Sequence, residues 1–267
     1  MKNSLILFSI VVMLLFLMGC GKENIKINDA DDSIVDKKMF EEIGVKHNIA
    51  VQYILENTDG TISRENILKH GYSQLKNVLP AEYQIFEQYG SPIDLEYTNM
   101  IIYDNKIDFD DYIRNLKISN DLKKLLIQMS ELILKELPLN ELEVGLEEIE
   151  IKGIQILNKS DLVILYTATS VARYSANFWY PESIGGEGGM KYFSKTIKSD
   201  NTLYARGFSW GKLITVDAVG IVAGAAAALV STGGAAAASA CGGIPCAGVV
   251  GLNNGAFDSA VYAITSN

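Results

Sequence analysis

The last part of the chain is almost free of charge, and this feature constrains the fold more than any other. From Leu213 onward the only charged residues are Asp217 and Asp258. More than half of residues 218–251 are Gly or Ala. Small residues of this kind let two helices approach each other closely, and they are also among the residues most often buried in soluble domains. The segment therefore has to be covered, either by the rest of the protein or by a lipid bilayer.

Both ways of covering this segment are open from the sequence. Residues 218–240 form an uncharged run of 23 residues, which is long enough to cross a bilayer. The run is only weakly apolar for a membrane span, and this favours packing inside the protein. A break at 231–234 and a second one at Pro245 divide the segment. The pattern predicts a Gly/Ala-rich helical hairpin over residues 210–267.

Two glycines in this segment are spaced for close helix packing. Gly220 and Gly224 lie four residues apart, so a helix places them on one face. Gly costs about 0.8–1.0 kcal/mol relative to Ala in a helix, and a close backbone approach compensates for that cost. We expect a helix over 216–230, with Asp217 at its start and Gly220 and Gly224 against a second helix.

The first residues have the three parts of an export signal. Lys2 is basic, the stretch from Leu5 to Leu17 is apolar, and Leu17-Met18-Gly19-Cys20 follows. A basic start, an apolar core of about 7–15 residues and small residues before the cut define such signals. An uncleaved membrane helix is the alternative, but the run is shorter than the roughly 20 apolar residues that a span needs.

The end of this signal resembles the lipobox of bacterial lipoproteins, in which a small residue precedes a cysteine. In that family the cysteine is acylated and becomes the first residue of the mature protein. The resemblance implies a signal peptide over 1–19 and a lipid on Cys20. The polar, acidic composition of the residues after it predicts a flexible tether, so the lipidated cysteine and the tether together span 20–37. A doubly or triply acylated cysteine anchors a protein stably to a membrane. Gly21 replaces the Asp that retains such proteins at the inner membrane, which favours the outer membrane in a diderm cell.

Residues 38–209 carry the apolar periodicity of helices. Phe40, Ile43, His47 and Val51 follow one another at spacings of three and four, which places them on one helix face. Ser160-Asp161 reads as the N-cap of a later apolar helix. We expect a mainly α fold, with a domain of five or six helices over 38–209 and the Gly/Ala-rich segment over 210–267.

Charge and cysteine content limit the partners. The net charge is −9, and it becomes −10 when the signal with Lys2 is removed, so a nucleic-acid partner is disfavoured. Two cysteines, Cys241 and Cys246, would remain beside the lipidated one. In an exported protein such a pair can oxidise to a disulfide, the alternative being two buried thiols.

No residue pattern predicts catalysis, a metal or a cofactor. Ser73-Gln74-Leu75-Lys76 matches the S-x-x-K of penicillin-recognising enzymes, but the K-T-G element that they require is absent, because Ile197 replaces its glycine. The two histidines, His47 and His70, have no clustered ligand or catalytic partner in the sequence. We expect His47-Asn48 to form a hydrogen-bonding pair between helices.

The overall layout resembles a group of uncharacterised bacterial lipoproteins with a Gly-x-x-His-Asn element and a Gly/Ala-rich end. The matching residues are Gly44, His47-Asn48, Ser160-Asp161 and the segment from Asp217. The resemblance implies no known activity. We expect a lipid-anchored, non-enzymatic binding or structural protein of the cell envelope, whose membrane contact is the lipid on Cys20. The alternative is a bacteriocin-like or toxin protein whose tail inserts into bilayers.

Overall fold

Helices make up most of the chain that the computed structural model describes. The described residues are 37–57, 73–89, 108–189, 209–232, 240–241 and 244–265. The predicted mainly α fold is confirmed. The predicted signal over 1–19, the lipidated Cys20 and nearly all of the tether over 20–37 lie outside the described residues.

The described residues form nine α-helices, one 3-10 turn and two short strands. The helices are α1 (Lys38–Asn57), α2 (73–78), α3 (Pro80–Tyr89), α4 (Phe109–Asn115), α5 (Asn120–Ile133), α6 (Leu139–Ile156), α7 (Lys159–Trp179), α8 (Trp210–Ser231) and α9 (Cys246–Thr265). The 3-10 turn is Glu182–Ile184, and β1 (Ala240–Cys241) pairs antiparallel with β2 (Ile244–Pro245). Seven of the helices, α1 to α7, fall between residues 38 and 209, so the expected number of five or six is not confirmed.

Short polar side chains begin four of these helices, and Asp108 begins α4 by accepting from the Asp111 backbone N–H. The Asn158 side chain accepts a hydrogen bond from the Asp161 backbone N–H at the start of α7, so the cap precedes the Ser160-Asp161 pair that the sequence suggested. Ser119 begins α5 in the same way. Ser209 begins α8 by accepting from the Lys212 backbone N–H.

Asp217 lies deeper in its helix than expected, because Ser209 caps α8 at an earlier residue. Because α8 begins at Trp210, Asp217 lies two turns inside the helix and not at its N-terminus. Its side chain is fully buried. The expected position of Asp217 at the start of the helix is wrong, since the helix starts earlier than the Gly/Ala composition indicates.

Helix α8 lies inside the fold. It packs most extensively against α9 and next against α7, while α1 covers α7 and α9. By length and composition, α8 is the one helix of the described residues that could cross a membrane, yet 83% of its most apolar window is buried by the protein. The expected helix over 216–230 lies within it.

Helices α8 and α9 meet at glycines. A Cβ added to Gly220 would lie 2.7 Å from Oδ2 of Asp258 and 3.2 Å from the Cα of Gly255. A Cβ added to Gly255 would lie 2.8 Å from the backbone O of Asp217. Gly224 is also buried. The two backbones are therefore closer in this region than side chains on both helices would allow.

The described helices belong to one compact unit, Val35–Asn267. Its core is continuous from α1 through α7 to α9. The division of the chain at residues 209 and 210 stays a prediction.

Candidate functional site

An open cleft lies where the start of α1 meets α6 and α7. It has a volume of about 350 Å³, which is within the range of small-molecule sites. Each of the three helices contributes aromatic or charged side chains. The lining residues that matter for its chemistry are Phe40, Glu41, Glu143, Glu147, Tyr166, Arg173 and Tyr174.

The acidic side of the cleft comes from one face of α6. Glu143, Glu147 and Glu150 are spaced four and three residues apart, so they lie in a row along the helix. Glu143 and Glu147 are exposed, whereas Glu150 is only 3% exposed. The row therefore runs from exposed carboxylates that line the cleft to a buried carboxylate behind Lys37 and Arg173, which also line it.

Three donors surround the buried carboxylate of Glu150. Lys37 Nζ lies 2.8 Å from Oε2, and Arg173 Nη2 lies 2.7 Å from Oε1. The Thr169 hydroxyl donates to Oε1 at 2.5 Å. Burying a carboxylate costs several kcal/mol, and these partners offset that cost. The group thereby links the start of α1 to both α6 and α7.

Helix α1 is fixed against α7 by two further contacts beside the cleft. The Ser170 hydroxyl donates to the backbone O of Phe40 at 2.7 Å. Gly44 leaves the space that the Tyr174 side chain occupies, and a Cβ at that position would overlap the ring. Glycine at the first position of the Gly-x-x-His-Asn element thus allows α1 and α7 to approach closely.

The two tyrosines of the cleft remain protonated at neutral pH. Burial raises the pKa of Tyr166, and the negative charge of Glu150 raises it further. Burial also raises the pKa of Tyr174, with Glu41 adding to the rise and Arg173 opposing it. Both rings therefore present neutral phenols to the cleft.

A second cluster of polar side chains lies in the interior, beside α8. The Ser175 hydroxyl and the indole N–H of Trp179, the latter at 3.3 Å, both donate to Oδ2 of Asp217. The His47 Nε2 atom lies 3.8 Å from Oδ1 of the same carboxylate. His47, Ser175 and Asp217 are fully buried. The cluster connects α8 to both α1 and α7.

His47 and Asn48 join α1 to its neighbours, as the sequence analysis expected. His47 Nδ1 lies 3.2 Å from the Asn48 side-chain oxygen, and the Asn48 side-chain N–H donates to the backbone O of Tyr174 at 2.8 Å. Burial lowers the pKa of His47 to about 4, although hydrogen bonds to Asn48 and to the Gly255 backbone oppose this change. His47 is therefore neutral at neutral pH.

The buried cluster contains the residue types of a hydrolase triad in a different order. In such a triad the histidine lies between the serine and the carboxylate and takes the serine proton. Here Asp217 lies between Ser175 and His47, so the hydroxyl donates to the carboxylate and the imidazole does not face it. Full burial also separates all three from solvent. The arrangement supplies hydrogen bonds between helices.

The structure describes the predicted cysteine pair in part. Cys246 is buried and disulfide-bonded. The Cys241 side chain lies outside the described residues, although its backbone in β1 is opposite Ile244 in β2. The pairing of Cys241 with Cys246 therefore stays a prediction. Among the described residues no group of three or more His, Cys, Asp or Glu side chains could hold a metal ion.

The sequence analysis missed the cleft and the surroundings of Asp217. The row of glutamates on α6 was a readable signal, because spacings of four and three place carboxylates on one helix face. Nothing in the sequence indicates that Lys37, Thr169 and Arg173 meet at Glu150, since 113 residues separate Lys37 from its partner. Ser175 and Asp217 are likewise brought together only by the packing of α7 on α8.

No protein-family model, curated protein or solved structure matches this chain.

Proposed function

We propose that this chain is a lipid-anchored protein of the bacterial cell envelope with a non-enzymatic binding role. The lipid on Cys20 would attach it to the membrane, and to the outer membrane in a diderm cell. The tether over 20–37 would hold the helical unit away from the lipid surface.

The burial of α8 is the observation that carries this proposal. The helix is apolar enough for a membrane, but α9 and α7, with smaller contributions from α5 and α4, cover it inside the protein. Its carboxylate, Asp217, receives hydrogen bonds from Ser175 and Trp179 inside the protein. An apolar helix whose polar group has partners in the fold is suited to a core position, so the membrane contact is assigned to the lipid.

Metabolic labelling tests the anchor. Cells expressing the full chain or its Cys20→Ala variant are fed an alkyne-tagged palmitate, and the protein is examined by in-gel fluorescence. The wild-type chain should be labelled and the variant should not. A Cys246→Ser variant is the control, because it also removes a cysteine but keeps the lipobox-like segment. Equal labelling of the wild type and Cys20→Ala would contradict the proposal.

A membrane-active protein is the second candidate, and the length and composition of α8 favour it. Its 22 residues would cross a bilayer if α7 and α9 released them. The full chain in a mild detergent is added, at neutral pH, to dye-filled vesicles of phosphatidylethanolamine and phosphatidylglycerol. The detergent alone is the control. Under the first proposal the vesicles retain the dye, whereas dye release by the protein would favour the second.

We also propose that α8 and α9 form the Gly/Ala-rich hairpin expected from the sequence. The extensive contact between the two helices supports this, as does the antiparallel pairing of β1 with β2 between them. The hairpin would be an internal element of the domain.

A further inference from the structure

We propose that the cleft between α1, α6 and α7 binds an organic cation, that is, an ammonium or guanidinium group on a short aliphatic stem. This inference rests on the proposed binding role and names the ligand class for it. It depends on the charge of the cleft, on its aromatic lining and on its size.

The cleft and the buried carboxylate behind it have an excess of negative charge. Three glutamates, at positions 41, 143 and 147, line the cleft together with two basic side chains, Lys37 and Arg173. The buried Glu150 pairs with both basic groups, so the whole set has a net charge of −2. Both basic groups are directed at the buried Glu150, at 2.8 Å and 2.7 Å.

The carboxylates at the rim of the cleft, those of Glu41, Glu143 and Glu147, have fewer positive partners among the described residues than Glu150 has. Glu147 is 3.9 Å from Lys37, at the outer limit of an ion pair. Glu41 and Glu143 form no ion pair with any of the residues that the structure describes. A ligand that enters from solvent therefore meets carboxylates before it meets a cation.

Aromatic rings line the cleft together with the carboxylates. Tyr174 and Tyr166 line the cleft from α7, and Phe40 lines it from α1. The face of an aromatic ring attracts a cation, and Arg and Lys groups use this attraction in proteins. The same rings give an aliphatic stem an apolar surface to cover. A cleft lined by both carboxylates and aromatic rings suits a charged group joined to an apolar chain.

Size and charge together argue against the other ligand classes. A volume of about 350 Å³ holds a small molecule or one long side chain. An anion would have to displace Glu150 from Lys37 and Arg173 while it faces three further carboxylates. A neutral polar ligand would gain nothing from the charge. The cation could be a free amine or a Lys side chain of a peptide, because both present the same group.

Isothermal titration of the full chain in non-ionic detergent tests this inference with three five-carbon probes. Cadaverine carries two ammonium groups, pentanediol two hydroxyls and glutarate two carboxylates, so only the end groups differ. A blocked Gly-Lys-Gly peptide tests the alternative source of the cation. We expect cadaverine or the peptide to bind, and neither pentanediol nor glutarate to do so.

A charge-matched pair of variants locates the site. Glu143→Gln with Glu147→Gln removes two rim carboxylates, and Glu131→Gln with Glu148→Gln removes two exposed carboxylates outside the cleft. All four positions are exposed, and thermal unfolding verifies that both variants are folded. We expect the cleft variant to weaken binding about tenfold and the control variant to leave it unchanged.

The outcomes separate clearly. Cadaverine binding that is lost only in the cleft variant supports a free amine, and the same pattern with the peptide alone supports a basic side chain. Binding of pentanediol or glutarate as strong as that of cadaverine, equal losses in both variants, or no binding of any probe would overturn the inference. None of these results alters the labelling of Cys20, so the anchor is judged separately.

Discussion

The close contact between α8 and α9 predicts a large penalty for one added methyl group. A Cβ at Gly251 would overlap the backbone O of Ile221 and lie 3.2 Å from its carbonyl carbon and 3.4 Å from the Cβ of Ala225. The atoms in the way belong mainly to the α8 backbone, so no side-chain rotation can relieve the contact. Gly251→Ala must therefore push the two helices apart.

The expected magnitude is the difference between two effects. Overpacking a core costs about 1–3 kcal/mol, and the upper half of that range applies where backbone blocks the space. Replacing Gly by Ala within a helix returns about 1 kcal/mol. We expect Gly251→Ala to lower the free energy of unfolding by about 1–2 kcal/mol, which corresponds to a drop in Tm of about 2–8 °C for a domain of this size.

Gly145→Ala is the matched control. This glycine lies within α6, and a Cβ there would meet only the side chain of the half-buried Leu132, with its Cδ2 at 2.6 Å. A leucine methyl group can rotate away, so the gain in helix propensity should dominate. Both variants are measured by circular dichroism during thermal unfolding of the chain that lacks residues 1–19. A Gly251→Ala protein as stable as Gly145→Ala would refute the reasoning about close backbone approach.

Three further predictions follow from buried groups. Because burial lowers the pKa of His47 from its ordinary 6.5 to about 4, the unfolded chain binds a proton that the folded chain does not. The free energy of unfolding should fall by about 3 kcal/mol as the pH drops from 6.5 to about 4. When it is measured by urea unfolding at several pH values, the free energy of unfolding of His47→Gln should depend less on pH in this range. Glu150→Ala should lower the free energy of unfolding, measured by chemical denaturation, by about 3 kcal/mol, because it leaves the partly buried Arg173 without its carboxylate. A decrease no larger than that caused by a surface substitution would contradict the role of Glu150. Mass spectrometry of the exported, unreduced protein should find Cys241 and Cys246 in one disulfide-linked peptide, and two free thiols would count against the pairing.

The sequence predicted those features of the fold that depend on local pattern. Spacings of three and four along α1 placed Phe40, Ile43, His47 and Val51 on one face, and all four are buried. A Gly/Ala-rich segment of low charge was expected to be covered, and α8 is buried by its neighbours. These outcomes follow from periodicity and from the cost of exposing apolar surface.

One local feature was misjudged, and features that depend on contacts distant in sequence were not predictable. The expected start of α8 was too late because it followed the Gly/Ala composition, whereas Ser209, which directly precedes the largely apolar segment from Trp210 to Val216, caps the helix. The cleft depends on Lys37 and Arg173 converging on Glu150, and composition and spacing carry no information about that meeting. The order of Ser175, Asp217 and His47 also emerges only when α1, α7 and α8 are packed together.

The central position of α8 has a consequence for biosynthesis. Its largest contact is with α9, which is synthesised later than the other described helices. Until α9 has emerged, a helix with the composition of a membrane span lacks the partner that covers it most extensively. Among unlipidated chains that lack residues 1–19, we expect those stopped before Cys246 to aggregate or to be held by chaperones, whereas those that include α9 stay in solution. Folding of this domain would therefore be largely post-translational, and a nascent chain would depend on holding factors until its synthesis reaches α9.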